Sequence, residues 1–334
     1  MNFGLPYKGS KNRIAKKILD VLPAAPVLYD VFCGGCAVTH AAMLSGKYSK
    51  VVANDINGMI PHAFETALAG GFRDEDRWIS RNDFQKLYKT DPYVAICFSF
   101  GNNLHSYCYA RELEPYKRAL HYAIFWKDTG PWRELCPETA DALKKAVESE
   151  QDRHKRRIGA GRAIVTALKA GLMNGTINPA VMDKPIYKKI RGKYPRVFLQ
   201  SGWLAERMQS LETLENDERF QRLESLERIT DVDVPPVLTV TTGDYREMEF
   251  SAPGIIYCDP PYKSTEERYG REFDFAGFYA WCEHQANPVY ISEYTMPEDR
   301  FVPVASFTVI RKMDTKKSSI CPEKIWRPRC QLGI

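Results

Sequence analysis

The chain has 334 residues, of which 44% are hydrophobic and 27% charged, the mix of a globular protein with a substantial core and far from the apolar-poor composition of disorder. That length accommodates one large α/β domain, or a core domain with a second one inserted in it, and argues against a minimal binding module. The net charge of +5 is too small by itself to announce a protein that binds polyanions.

In chain order, the first segment carries Lys8, Lys11, Arg13, Lys16 and Lys17 with no apolar run after them, so no secretory signal is expected. The nine cysteines are scattered and odd in number, which suits reduced thiols in a cytoplasmic protein. From Val27 an apolar run of strand length leads into Cys33-Gly34-Gly35-Cys36 and then into a helical pattern from Ala37 to Leu44, which Gly46 can stop. Lys50 to Asp55 reads as a second strand ending on a carboxylate. Such a β-α-β unit predicts a parallel sheet with its ligand at the carboxyl ends of the strands. Cys33 and Cys36 have the spacing of a metal pair, but the other cysteines offer no second close pair, and no metal is expected. His40 and His62 read as helix residues.

The longest uncharged stretch, Pro92 to Ala110, contains Ser99, Asn102, Asn103, His105 and Ser106, which would be costly in lipid, so no membrane span is expected. Glu114 to Trp126 and Ile158 to Leu172 have helical patterns. Residues 151–196 hold twelve basic residues against Asp152 and Asp183, a net of +10 that leaves the rest of the chain at −5. Interleaved with Tyr187, Tyr194, Asn174 and Asn178, this segment predicts phosphate neutralisation with base contacts nearby. Arg156, Arg157, Lys188, Lys189, Arg191 and Lys193 are the candidate nucleic-acid-binding residues. From Met208 to Ile229 apolar residues recur every three positions, a spacing that does not hold one face of a straight helix. Two short helices broken near Asn216-Asp217, or a tight repeat, are the readings, in either case as a packing strut. Gly254 to Cys258 and Pro288 to Ser292 are again buried-strand patterns.

The long interruption between Asp55 and Val237 predicts a divided layout: residues 1–71 and 236–334 form one domain and residues 72–235 are inserted in it. The tetrapeptide Asp259-Pro260-Pro261-Tyr262 follows the Gly254 to Cys258 strand. A carboxylate and a stiff backbone carbonyl there can accept hydrogen bonds from an exocyclic amine such as adenine N6, whose lone pair is otherwise conjugated into the ring. Tyr262 can stack on a base that has left its duplex. Such a nucleophile needs a methyl donor. The loop from Phe32 to Cys36 matches neither the Gly-x-Gly-x-x-Gly dinucleotide fingerprint nor a P-loop, which weakens oxidoreductase and NTPase readings. Asp55, 21 residues after Gly34, is placed to accept from ribose hydroxyls.

At this point the sequence resembles the Dam-like (D12-class) DNA adenine-N6 methyltransferases of phage or mobile-element type. The resemblance is carried by Pro6-Tyr7-Lys8-Gly9-Ser10-Lys11, Asp30-Val31-Phe32-Cys33-Gly34-Gly35, Asn54-Asp55, Gly243-Asp244-Tyr245, Asp259 to Tyr262 and Ile291-Ser292-Glu293-Tyr294, in the family's order. Phe98 to Asn103 and Glu114 to Arg118 also look like insert segments of such members.

What the resemblance implies is a Rossmann-like methyltransferase sheet, mostly parallel with one antiparallel edge strand, and a mostly helical inserted domain for target recognition. It implies S-adenosylmethionine as methyl donor, with Tyr7, Lys11, Asp30, Phe32, Gly34, Asp55, Asp244 and Tyr245 toward it and Asp259, Pro260, Pro261 and Tyr262 as the catalytic motif. The implied substrate is a flipped-out adenine in double-stranded DNA, and a cognate restriction endonuclease is a compatible partner. The loop of the family usually reads Phe-x-Gly-x-Gly, and Cys36 stands at its second glycine. The competing readings are a DNA-binding regulator without turnover and a methyltransferase acting on RNA or on a protein amide.

Overall fold

The computed structural model describes residues 3–188, 218–227, 229, 237–250, 253–262, 273–313 and 317–333. Its elements in chain order are α1 (Ala15–Val21), β1 (Val27–Asp30), α2 (Ala37–Ser45), β2 (Lys50–Asp55), α3 (Met59–Leu68), α4 (Arg81–Leu87), α5 (Pro92–Cys97), α6 (Glu114–Trp126), α7 (Gly130–Leu135), α8 (Pro137–Glu148), α9 (Arg153–Met173), α10 (Glu218–Glu227), β3 (Val237–Thr242), β4 (Gly254–Cys258), α11 (Phe275–Glu283), β5 (Val289–Glu293), β6 (Phe301–Met313) and β7 (Lys317–Pro328). Two compact units emerge: Met1–Arg73 with Thr90–Ile96 and Arg222–Ile334, and Asp74–Lys89 with Cys97–Gln221.

The first unit is built on a seven-stranded sheet of order β3-β2-β1-β4-β5-β7-β6. Strands β1 to β5 are parallel; β7 runs against β5, and β6 pairs antiparallel with β7 at the edge. The reversed direction therefore belongs to β7, one place in from the edge. The central strands are buried on both faces, which is why they read as continuous apolar runs rather than alternating ones. Pro303 lies on edge strand β6 beside a register shift, where its missing N–H costs little. An apolar cluster holding Tyr29, Val31, Ile256, Cys258, Phe278, Ile291, Phe301 and Trp326 packs against this sheet.

Among the described residues the second unit is helical, with an isolated bridge between Ser99 and Tyr107. Asp152 caps α9, its side chain accepting from the Lys155 N–H at 2.8 Å. The buried residues of α9 are Arg156, Arg157, Ala160, Gly161, Ile164, Val165, Leu168 and Gly171, a stripe of spacing three and four that runs the length of the helix. Trp132 is fully buried, its indole N–H donating to Thr139 Oγ1, which also bonds the Tyr187 hydroxyl at 2.9 Å. The helix expected at Ile158 to Leu172 is thus longer, and α6 has the bounds expected from its pattern. Of the low-complexity stretch, α10 is helical; residues 208–217 lie outside the described residues, and so does any repeat or break there. No helix among the described residues is long and apolar enough to cross a membrane.

Candidate active site

The loop after β1 is held in place from several directions. Asp30, the last residue of β1, is buried, and its Oδ2 accepts from the Thr39 N–H at 3.0 Å and the Thr39 hydroxyl at 2.7 Å. Its Oδ1 is buried without a hydrogen-bond partner. Burial pushes this carboxyl up to about 7; the Thr39 hydroxyl works against the shift, and the charges of Asp259 and Asp55 add to it. Asp55, at the end of β2, accepts from the Gly34 N–H at 2.9 Å through Oδ2 and from the Asn57 N–H at 2.8 Å through Oδ1. Burial raises its pKa as well, opposed by those two N–H groups.

Cys36 precedes α2 in the left-handed conformation, φ 58° and ψ 30°, so the backbone where a second glycine is expected is glycine-like although the residue is not. Its buried Sγ lies 3.7 Å from Cys33 Sγ, and burial raises both thiols, leaving them poorly ionised. The segment from Gly4 to Tyr7 packs on the same loop, with the Leu5 N–H donating to the Gly35 carbonyl at 2.7 Å. A Cβ on Gly35 would come within 2.5 Å of Tyr7 Cβ and 2.8 Å of the Leu5 carbonyl oxygen. Gly35→Ala is therefore expected to cost about 1–3 kcal/mol through overpacking. Chemical denaturation measures it; unchanged stability would mean the Tyr7 segment yields freely.

Asn54 fastens this loop to the next. Buried, it donates through Nδ2 to the Val31 and Gly243 carbonyls, both at 3.1 Å, and accepts from the Thr241 hydroxyl at 3.0 Å. Beyond Gly243, Asp244 caps a single helical turn, its Oδ1 accepting from the Arg246 N–H at 3.0 Å while its carboxylate pairs with the Arg246 guanidinium. Hydrogen bonding to Arg246 holds this carboxyl below its ordinary value. Tyr245 is buried, its ring 5.2 Å from that of Phe32 and 5.0 Å from that of Trp281. Phe32 and Tyr245 thus form one aromatic wall.

At the carboxyl end of β4 stand Asp259, Pro260, Pro261 and Tyr262. Lys11 reaches Asp259 from the N-terminal segment, its Nζ 2.7 Å from each carboxylate oxygen. The same ammonium lies 4.6 Å from the centroid of the Tyr262 ring and 3.6 Å from Glu323 Oε1. Tyr262 is buried, its hydroxyl donating to Glu323 and its ring meeting that of Tyr294 edge-on at 4.6 Å. Burial pushes Asp259 up to about 6, Lys11 pulls it down, and Glu323 pushes it up again. Burial works against the Lys11 charge, yet the attraction of Asp259 and Glu323 prevails and raises its pKa.

The sequence-derived residues of the first unit thus fall into groups. Lys11 joins Asp259 and Tyr262; Asp30, Gly34 and Asp55 gather at the glycine loop with Tyr7 against it; Phe32 meets Tyr245, and Asp244 caps the turn beside it. Sequence reasoning missed Glu323 and Thr39, and quoted Asn54 in a motif without giving it a role.

Two of the candidate basic residues of the helical unit are placed differently from what their charge suggests. Arg156 and Arg157 are 9% and 7% exposed. Arg156 donates to the Phe125 and Gln151 carbonyls, and the Arg157 guanidinium lies over the Phe220 ring. Tyr187 is fully buried on Thr139, and Asn174 and Asn178 bond backbone N–H groups at turns. Arg156, Arg157 and Tyr187 thus pack within the unit, whereas Asn174 and Asn178 are exposed. Lys188 is exposed, with Asp183 3.8 Å away. Lys189, Arg191 and Lys193, with Tyr194, lie outside the described residues.

A parallel sheet with one reversed strand next to its edge, a glycine loop after the first strand and a carboxylate closing the second define a Rossmann-like methyltransferase fold. Residues 7–93 match the family of D12 class N6 adenine-specific DNA methyltransferases. The matched span takes in Tyr7, Lys11, the glycine loop and Asp55, and ends before Asp259. Among curated proteins none matches the chain.

Proposed function

We propose that the protein is an S-adenosylmethionine-dependent DNA adenine-N6 methyltransferase in which the first unit carries out the transfer and the residues between its segments contact the DNA. The observation that carries this reading is the Asp259 carboxylate at the end of β4, gripped by Lys11 and next to a Tyr262 whose ring is anchored. The residues of the glycine loop suit the donor: Asp30 Oδ1 is a buried carboxylate oxygen that an ammonium would satisfy, and Asp55 closes β2 where ribose hydroxyls bind in such folds. The donor supplies an electrophilic methyl group on a sulfonium.

The chain's own residues supply position and electrostatics. Asp259 and the Pro260 carbonyl accept the two N–H groups of the adenine amine, drawing its lone pair out of the ring toward the tetrahedral nitrogen that bonds carbon. Tyr262 stacks on the base once it has been flipped from the duplex. No covalent enzyme intermediate is needed, because holding nucleophile and methyl group in line supplies much of the rate. The left-handed backbone at Cys36 keeps the loop in the shape a glycine would give it, which favours an active enzyme over a regulator without turnover.

The test is incubation with labelled S-adenosylmethionine and mixed-sequence duplex DNA, followed by mapping of N6-methyladenine. Label in adenine at one recurring sequence is expected. Label in RNA or protein instead, or binding of DNA and donor without transfer, would overturn the reading in favour of those substrates or of the regulator.

DNA binding itself is expected to depend on Lys188, Lys189 and Arg191. Replacing the three with Ala should lower the slope of log K against log salt by about 0.9 for every phosphate that is no longer neutralised. An unchanged slope would remove this segment from the interface.

A further inference from the structure

We infer that Glu323, on β7, is a positioning residue of the transfer site, acting on Lys11 and Tyr262 from the strand that runs against the rest of the sheet. The inference rests on the methyltransferase reading and names a residue outside every motif that suggested it. Glu323 is 3% exposed, a burial that carboxylates accept only with partners. Its Oε1 accepts from the Tyr262 hydroxyl and from Ser292 Oγ at 3.1 Å, and lies 3.6 Å from Lys11 Nζ. Pairing of Ile325 with Ser292 and of Lys324 with Glu293 brings it there, one residue beyond the last β5–β7 partner.

Two consequences follow from this geometry. Tyr262 is held at both ends, by its backbone after Pro261 and by its hydroxyl, so the ring is fixed before a base arrives. Lys11 is the second. Its ammonium engages both oxygens of Asp259 at 2.7 Å and lies over the Tyr262 ring, where a base would have to stack. An adenine amine can bond Asp259 only if this ammonium gives way, and a buried cation moved away from one carboxylate with nothing to receive it would be strongly disfavoured. Glu323 is a second buried carboxylate within reach of the same ammonium. A small swing of Lys11 toward it opens Asp259 and the ring together while keeping the charge paired.

Among the described residues, the charged and titratable groups facing Lys11 and Asp259 include Glu323 from β7, Tyr262 from the loop after β4, Tyr257 and Cys258 from β4 and Asp30 from β1. Among them Glu323 raises Asp259, so neutralising it should lower the pH at which Asp259 ionises.

The experiment uses the full chain with Glu323→Gln, which keeps an acceptor for Tyr262 and Ser292 but no charge for Lys11, and with Glu323→Ala and Tyr262→Phe singly and combined. Glu323→Gln is expected to lower kcat about tenfold to a hundredfold, as a misplaced site does, with KM for the donor and DNA affinity little changed. The acidic limb of its kcat profile should move to lower pH. Tyr262→Phe should add less on top of Glu323→Ala than it costs alone, because the two share a contact. Carboxyl titration of 13C-labelled protein, with Asp259→Asn assigning the resonance, should show Asp259 ionising at lower pH in Glu323→Gln. That titration needs no substrate. A wild-type protein that methylated nothing would sink the methyltransferase reading while the titration still judged the Asp259–Lys11–Glu323 coupling. An Asp259 titration unmoved by Glu323→Gln, or a loss of stability with kcat and pH profile unchanged, would overturn the role given to Glu323.

Discussion

Asp259→Ala is expected to lower methyl transfer to adenine by at least about a hundred- to a thousandfold, the range seen when a group that stabilises developing charge is removed from a preorganised site. Affinity for duplex DNA should stay within about twofold, because one hydrogen bond to one base contributes little to a phosphate-dominated interaction. The reason lies in what the carboxylate does. An aromatic amine attacks poorly until its N–H groups are engaged, and positive charge grows on nitrogen as the new bond forms. A carboxylate beside it is worth most at that moment. Asp259→Asn, which keeps an acceptor oxygen but no charge, should fall between the two.

The acid side of the rate profile carries the same prediction. Asp259 is pushed up to about 6, so the wild-type rate should fall as pH drops below that value, where the protonated carboxyl no longer sets a negative charge against the positive charge growing on the amine. Asp259→Asn should lack this limb. Transfer by Asp259→Ala near the wild-type rate would remove Asp259 from the chemistry.

How much of this was legible in the sequence differs from residue to residue. β1, β2 and β4 were visible because strands covered on both faces are unbroken apolar runs, and the glycine loop and the Asp-Pro-Pro-Tyr turn were visible because each is contiguous. Lys11 was visible as part of an N-terminal motif, but its place on Asp259, 248 positions away in the chain, is a product of the fold. Glu323 was not visible at all. Its partners depend on the register of β5 with β7, and nothing local in Cys321-Pro322-Glu323-Lys324 says which residue will lie beside Ser292. The burial of Arg156 and Arg157, read as DNA contacts, went unseen for a different reason. A charge count ignores helix faces, whereas Ala160, Gly161, Ile164, Val165 and Leu168 recur at spacings of three and four, and extending that stripe by one turn lands on both arginines. The periodicity that could have placed them was there to be used.

Lys11→Met should lower transfer at pH 7 at least about tenfold, since once the Asp259 pKa lies above the pH, raising it by about one more pH unit leaves roughly a tenth as much carboxylate. Burial and Glu323 push Asp259 up while Lys11 pulls it down, so removing the ammonium leaves the upward influences opposed only by the lesser Tyr262 hydrogen bond. Asp259 should then remain protonated at neutral pH, and raising the pH toward 9 should restore part of the rate. Stability is expected to move the other way. A carboxyl whose folded pKa is raised contributes stability that is fully present below its unfolded value, near 3.9, and is lost as pH rises through the folded value. With the folded value raised further in Lys11→Met, that loss should extend to higher pH, so the variant should be closest to wild type near pH 5 and weaken steadily toward pH 9. Loss of the buried partner charge without protonation would cost about 3–5 kcal/mol, and the ability of Asp259 to take up a proton caps that cost at low pH. Thermal denaturation across this pH range and kcat over the same range give two profiles of opposite slope. If the rate stayed low at every pH while KM for S-adenosylmethionine rose, Lys11 would be acting on the donor and not through Asp259.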